Sequence, residues 1–207
     1  MTVGTFPASP GEILKIANFT FRTLAIPDVL LVQPRRFRDD RGYFSETFSR
    51  EAFATLDINC DFVQDNQSLS LHPGTLRGLH FQVPPYPQAK LVRVLVGAVF
   101  DVAVDLRRGS PTFGRWCAET LSAENGNQLF IPRGFAHAVC TLEPNTELAY
   151  KVDNYYAPEC DAGLIWNDSD LAIDWPIAAQ SAILSEKDAK LPRLSDFKSP
   201  FVYSESK

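Results

Sequence analysis

Residues 91–106 read LVRVLVGAVFDVAVDL, and the period of that stretch decides the fold class. Apolar and polar residues alternate on both sides of Gly97. Phe100, Val102, Val104 and Leu106 share one face, and Asp101, Ala103 and Asp105 share the other. A repeat of two is strand geometry, in which successive side chains point to opposite faces. The stretch reads as an antiparallel pair turning at Gly97 and Ala98. Its aspartates are expected toward solvent, because a one-residue slip would bury them. Outward from it, short strand-like runs recur at 116–121, 128–131, 136–142 and 148–152. Turn chemistry separates them at Gly109-Ser110-Pro111, Asn125-Gly126-Asn127, Pro132-Arg133-Gly134 and Glu143-Pro144-Asn145. Many short strands at such spacing predict an all-β sandwich or barrel.

The 207-residue length suits one well-cored domain. Its start is expected at Phe21, after an N-terminal extension over 1–20 that carries Gly4, Pro7, Pro10 and Gly11, and residues 195–207 read as a polar tail. Asp40, Arg41 and Gly42 supply hairpin-turn chemistry. Residues 49–56, SREAFATL, predict a short helix with Ser49 as N-cap and Phe53 and Leu56 on one face. The run Gln64-Asp65-Asn66-Gln67 fits either a solvated loop or the polar wall of a cavity at a strand end.

A net charge of −5 argues against a nucleic-acid partner, so any bound anion must meet a local basic cluster. Cys60, Cys117, Cys140 and Cys160 lie far apart without a Cys-x-x-Cys pair, which signals neither a zinc site nor a disulfide framework. No basic-then-apolar leader and no membrane-length apolar run is present, and a cytoplasmic protein without a membrane partner is expected.

Residues 75–90, TLRGLHFQVPPYPQAK, gather Arg77, His80 and Lys90 in sixteen positions. A base that titrates near neutrality between two cations suits an anionic, ionisable substrate. Read alone, however, a histidine between Leu79 and Phe81 fits a hydrogen-bonded core residue better than a base. Further on, residues 131–137, IPRGFAH, resemble the second motif of the cupin jelly roll, a double-stranded β-helix in which a Pro-Gly turn aims a histidine into the barrel mouth. Metal-binding cupins carry His-x-His in the first motif, where this chain has His80-Phe81-Gln82. With His80 and His137 the only candidate imidazoles and Lys90 nearby, no metal is expected.

The chain resembles one family over residues 22–194: the dTDP-4-dehydrorhamnose 3,5-epimerases of nucleotide-sugar metabolism. The matching stretches, in order, are FRDDRGYFSETF, FVQDNQS, LRGLHFQ, QAKLVRV, VFDVAVDLRRGSPTFGRW, LSAENGNQLFIPRGFAHA, YKVDNYYAPE, IWNDSDLAIDWP and LSEKDAKLP. The resemblance implies cofactor-independent proton transfer at C3 and C5 of dTDP-4-keto-6-deoxyglucose. It makes His80 the base, Asp188 its partner, Lys90 the cation at the C4 oxygen and Tyr150 the acid on the other side. It sets Arg41 and Arg77 at the diphosphate, Tyr156 on the thymine ring, and Glu46, Gln64, Asp65, Asn66, His137, Asp161 and Lys187 at further substrate contacts. It also implies a homodimer formed by strand exchange.

Without it, Asp188 would read as a solvated acid between lysines and Tyr150 as a packed core residue. Asp161, Gln67 and Ala89 depart from the glutamate, histidine and glycine common in the family; none removes a catalytic group, and the two nearest the site bear on which carbons are inverted. The alternatives are a single-carbon epimerase of a related dTDP-4-keto-6-deoxysugar and a catalytically silent nucleotide-sugar-binding cupin.

Overall fold

The structure, a computed structural model, describes residues 9–204. The described residues form fourteen strands, one short α-helix and four 3₁₀ turns: β1 Ile13–Ile16, β2 Phe19–Thr23, β3 Leu30–Pro34, β4 Phe37–Asp39, β5 Gly42–Phe44, α1 Arg50–Ala54, β6 Gln64–Ser70, β7 Leu76–Gln82, β8 Lys90–Val96, β9 Ala98–Asp105, β10 Trp116–Ser122, β11 Gln128–Ile131, β12 Phe135–Thr141, β13 Thr146–Val152 and β14 Asp161–Gly163. A seven-stranded sheet runs β1-β2-β3-β11-β8-β13-β6, and a five-stranded sheet runs β10-β9-β12-β7-β14. Their named pairings are antiparallel, and the chain crosses between the sheets repeatedly, as the expected jelly roll requires. The hairpin β4-β5 pairs only with itself.

Three apolar clusters hold the layers. One fills the space between the sheets, with Val92, Val99, Leu121, Leu129 and Val139 among its members. A second covers the outer face of the large sheet, where α1 brings Phe53 against Phe19, Phe21 and Phe130. Ser49 caps that helix by accepting from Ala52 N at 3.4 Å. Burying a ring such as Phe53 contributes about 1.5–3 kcal/mol. The third cluster lies outside the small sheet, under the C-terminal segment.

The structure corrects three expectations. First, β8 and β9 are not a hairpin. They are consecutive in the chain and belong to different sheets, with Gly97 as the corner between them. Its φ is +78°, and a Cβ there would sit 2.4 Å from Thr146 Oγ1, so only glycine fits the turn without displacing β13.

Second, Asp101 and Asp105 are fully buried, on the inner face of the small sheet. Alternation was read correctly and its direction was not, because both faces of β9 are covered. Burial raises the Asp105 carboxyl, yet hydrogen bonds from Arg107, Ser110 and Thr112 outweigh it and hold the group below its ordinary value. Asp101 accepts from His137, and its second oxygen has no partner among the described residues.

Third, the ordered structure extends beyond both expected boundaries. The hairpin β1-β2 continues the large sheet through β3, and Phe19 and Phe21 are buried. Phe197 and Phe201 stack edge-on to Phe81 at 5.1 and 6.1 Å, and Phe201 O accepts from Arg108 N. The rest of the expected extension and tail, residues 1–8 and 205–207, lies outside the described residues.

Candidate active site

The crossings define two ends, one of which opens on a cavity. The connections β6 to β7, β8 to β9, β10 to β11 and β12 to β13 share one end. The loops 83–89, 132–134 and 153–160 share the other. Pairing in register puts the chemistry at the open end. Lys90 lies opposite Val152 and Ile131, Val152 opposite Gln64, His80 opposite His137, and Gln82 opposite Asp161. A cavity of about 350 Å³ opens there. Gln64, Asn66, Arg77, His80, Lys90, His137, Tyr150, Tyr156, Asp161, Lys187 and Asp188 all line it.

Its floor carries two histidine–carboxylate pairs. His80 Nε2 meets Asp188 Oδ1 at 2.6 Å, although 108 residues separate them in the chain. Asp188 is buried at the start of the 3₁₀ turn Asp188–Lys190, where Ser185 Oγ accepts from its N–H at 3.0 Å. A carboxylate can only accept, so Nε2 carries the proton and Nδ1 is left as the basic nitrogen. Burial pushes the His80 imidazole below its ordinary value, while the bond and charge of Asp188 pull it up and Lys90 and Lys187 push it down. In the second pair, His137 Nε2 meets the buried Asp101 Oδ1 at 2.9 Å.

Lys90 is buried, and its Nζ donates to the His80 carbonyl at 3.3 Å. Burial lowers its ammonium to about 8, against the opposite pull of Asp101 and Asp161. Burial raises the Tyr150 phenol, Asp161 adds to the effect and Arg77 opposes it, which keeps the hydroxyl a proton donor at neutral pH. At the rim, Asp161 accepts from Tyr156 Oη at 3.2 Å and forms an ion pair with Lys187. Arg77 donates to Ser70 Oγ and Leu69 O, both at 3.2 Å.

Three of the expected contacts do not converge on this cavity. Asp65 points out of the sheet to Lys151 at 2.9 Å, because alternation along β6 sends Gln64 and Asn66 inward and their neighbour outward. Arg41 sits on the tip of the β4-β5 hairpin, 90% exposed, paired with Asp39 at 2.6 Å. Glu46 accepts from Asn18 Nδ2 at 3.0 Å.

Sequence reasoning missed two residues that shape the site. Asp101 was expected in solvent. Ala103 on its face and Val102 opposite would have signalled a strand covered on both sides. Gln82 was noticed only as a position that is not histidine, although it shares His80's strand face two residues along. Among the described residues, no three His, Cys, Asp or Glu side chains form a metal-ligand group. Each floor pair offers one imidazole and one carboxylate, so the donor set does not suit a bound transition metal.

A family model described as dTDP-4-dehydrorhamnose 3,5-epimerase matches residues 23–196. The chain belongs to the dTDP-4-dehydrorhamnose 3,5-epimerase family. Among its relatives is the enzyme of that name from Escherichia coli, 52% identical over 172 residues, spanning 83% of this chain and 92% of the relative.

The family fold extends to solved structures. A dTDP-6-deoxy-D-glucose-3,5-epimerase from Legionella pneumophila, in complex with dTDP-4-keto-L-rhamnose, has a TM-score of 0.85 at 42% identity, covering 90% of this chain and all of the other. A 3'-monoepimerase from Streptomyces bikiniensis, in complex with dTDP-quinovose, has a TM-score of 0.76 at 34% identity, covering 84% and 87%. The family's cupin-type jelly roll is the architecture described above.

Proposed function

We propose that the chain is a cofactor-independent epimerase that inverts C3 and C5 of dTDP-4-keto-6-deoxyglucose to give dTDP-4-keto-L-rhamnose. The observation that carries this reading is the placement of His80 on one sheet and Tyr150 on the opposing one, with the cavity between them. Inversion needs a proton removed from one face of a carbon and another delivered to the opposite face. A sugar lying between the sheets presents one face to each group.

In this reading His80 Nδ1 takes the proton α to the C4 ketone, and Asp188 stabilises the imidazolium through Nε2–H. Negative charge moves onto the C4 oxygen, where the Lys90 ammonium holds it. A fixed donor of that kind contributes on the order of 3 kcal/mol to lowering the barrier. Tyr150 then donates from the far side. Lys90 and Arg77 supply local positive charge that the acidic chain lacks on average, and Tyr156 offers a ring to the nucleobase. His137, Asn66, Asp161 and Lys187 complete the sugar and phosphate contacts.

The reading extends to a homodimer working in the cytoplasm. The free thiols Cys60, Cys117, Cys140 and Cys160 suit a reducing compartment. The β4-β5 hairpin supports the dimer: Tyr43 and Phe44 are exposed, and Arg41 and Glu46 lie outside this chain's own cavity. Strand exchange would lend them to a second copy. Sedimentation of the purified chain as a monomer at micromolar concentration would remove that part of the proposal.

The chemistry is tested by incubating metal-stripped protein with dTDP-4-keto-6-deoxyglucose in deuterated water. Deuterium and inversion at both carbons are expected. Label at one carbon alone would favour the single-carbon reading, which the 3'-monoepimerase relative makes concrete. No exchange at either carbon would rule out both.

A further inference from the structure

We infer that Gln64, Gln82 and Gln88 act together as positioning residues that set the loop 154–157 and thereby the affinity of the site for the planar, nucleobase end of its ligand. The inference rests on the proposed function, in which that loop's Tyr156 meets the base.

Four consecutive residues of this loop have a main-chain group bonded to a glutamine side chain. Gln88 Nε2 donates to Asn154 O at 2.8 Å, and Gln82 Nε2 donates to Tyr155 O at 3.2 Å. Tyr156 N–H donates to Gln64 Oε1 at 3.0 Å, and Ala157 N–H donates to Gln82 Oε1 at 2.8 Å. The three glutamines come from three places, β6, β7 and the loop before β8, so the cradle grips the segment from several sides. Gln82 does more. Its second amide proton goes to Tyr86 O at 2.7 Å, which ties the rim loop 83–89 to the loop 154–157.

The choice of residue has a chemical reason. A primary amide offers donors and an acceptor on one neutral head, and Gln82 uses both functions while only 3% exposed. A glutamate would present acceptors to two carbonyls and place an anion near His80. A neutral clamp holds the rim without disturbing the charges on the floor. Gln64 likewise uses both functions, because its amide nitrogen donates to Asn66 Oδ1 at 2.8 Å while its oxygen serves Tyr156. Gln64 also lines the cavity, so it positions the rim from beside the ligand.

What the tied loops present is aromatic. Tyr86, Tyr155 and Tyr156 are 43%, 65% and 55% exposed, none lies on a strand, and Tyr156 lines the cavity. Their placement depends on loop backbone, and side-chain amides hold that backbone. The cradle thus acts on how tightly the ligand is held, and the floor acts on proton transfer.

The test uses the full chain with Gln82→Met and Gln88→Met, substitutions of similar length that remove the amide. Binding of dTDP alone is measured by calorimetry, alongside kcat, KM and thermal midpoint. For Gln82→Met, the dTDP Kd and the KM are expected to rise together by about 10-fold, the loss typical of one or two buried hydrogen bonds. kcat should fall by less than about 3-fold. Gln88→Met, which makes a single bond, should raise both by about 3-fold and keeps the test available if Gln82→Met does not fold.

In a Tyr156→Ala background, Gln82→Met should add little to the loss, since both changes act through one ring. Full additivity, or a fall in kcat at unchanged KM, would overturn the inference and leave the proposed function standing. Failure of the unaltered protein to bind dTDP would overturn both.

Discussion

His80–Asp188 and His137–Asp101 are the same pair of groups built twice, side by side. The two histidines face each other across the β7-β12 ladder, and each ring meets a buried carboxylate through Nε2. They differ in access. The His80 side chain is 33% exposed and opens on the cavity, while the His137 side chain is 9% exposed beside a fully buried Asp101. A carboxylate partner alone therefore does not mark the base. The pair that can take a proton from a ligand is the one whose free ring nitrogen has an open path to it. The pair behind it supplies a fixed orientation and a negative charge that reaches Lys90.

The largest expected effect tests that difference directly. His80→Asn should lower kcat by roughly 10²–10⁴-fold and abolish solvent deuterium uptake at both carbons. His137→Asn should keep exchange at both and lose no more than about 10-fold in kcat/KM, the weight of one hydrogen bond. Equal damage from the two substitutions, read by single-turnover exchange, would break the comparison.

The carboxylates should separate next, by pH rather than by size alone. Asp188→Asn is expected to cost on the order of 10²-fold and to move the acid limb of kcat/KM to lower pH, because the group that raised the imidazole is gone. Asp101→Asn should cost less and move the opposite limb. Asp101 raises Lys90, so its loss lets the ammonium deprotonate at lower pH. Identical profiles for the two variants would show that the pairs are not functionally distinct.

The smallest effect is the profile of the unaltered protein. His80 must be neutral to accept a proton, so the rate falls as pH drops through its lowered value, below the usual imidazole range of about 6.5. Lys90 must be charged, so the rate falls as pH rises through about 8. A bell with its alkaline limb near pH 10, measured as kcat/KM, would show that burial does not act on Lys90 as described.

Strands, turns and the short helix were readable because their signals are local: alternation, Gly-Pro punctuation and an N-cap serine. Pairing is not local. Residues 91–106 look like a hairpin until Thr146 arrives beside Gly97 and the two halves part into different sheets. Asp101 was placed in solvent for the same reason, since the His137 that meets it lies 36 residues along the chain. Asp188 and Tyr150 carry no local mark of function and came from resemblance alone. Arg41 and Glu46 came the same way, and their side chains find partners away from the cavity.

The corner at Gly97 bears on the chemistry from the far end of the barrel. Strand β8 leaves that corner and ends at Lys90, and seven residues at about 3.3 Å each make it a lever of roughly 20 Å. A substitution at Gly97 that tilted the strand by about 3° would swing the lysine by about 1 Å at the mouth, a misplacement that at a catalytic group typically costs on the order of 10²-fold in rate. Gly97, a residue with no side chain, thus fixes one end of the strand that carries Lys90 at the other.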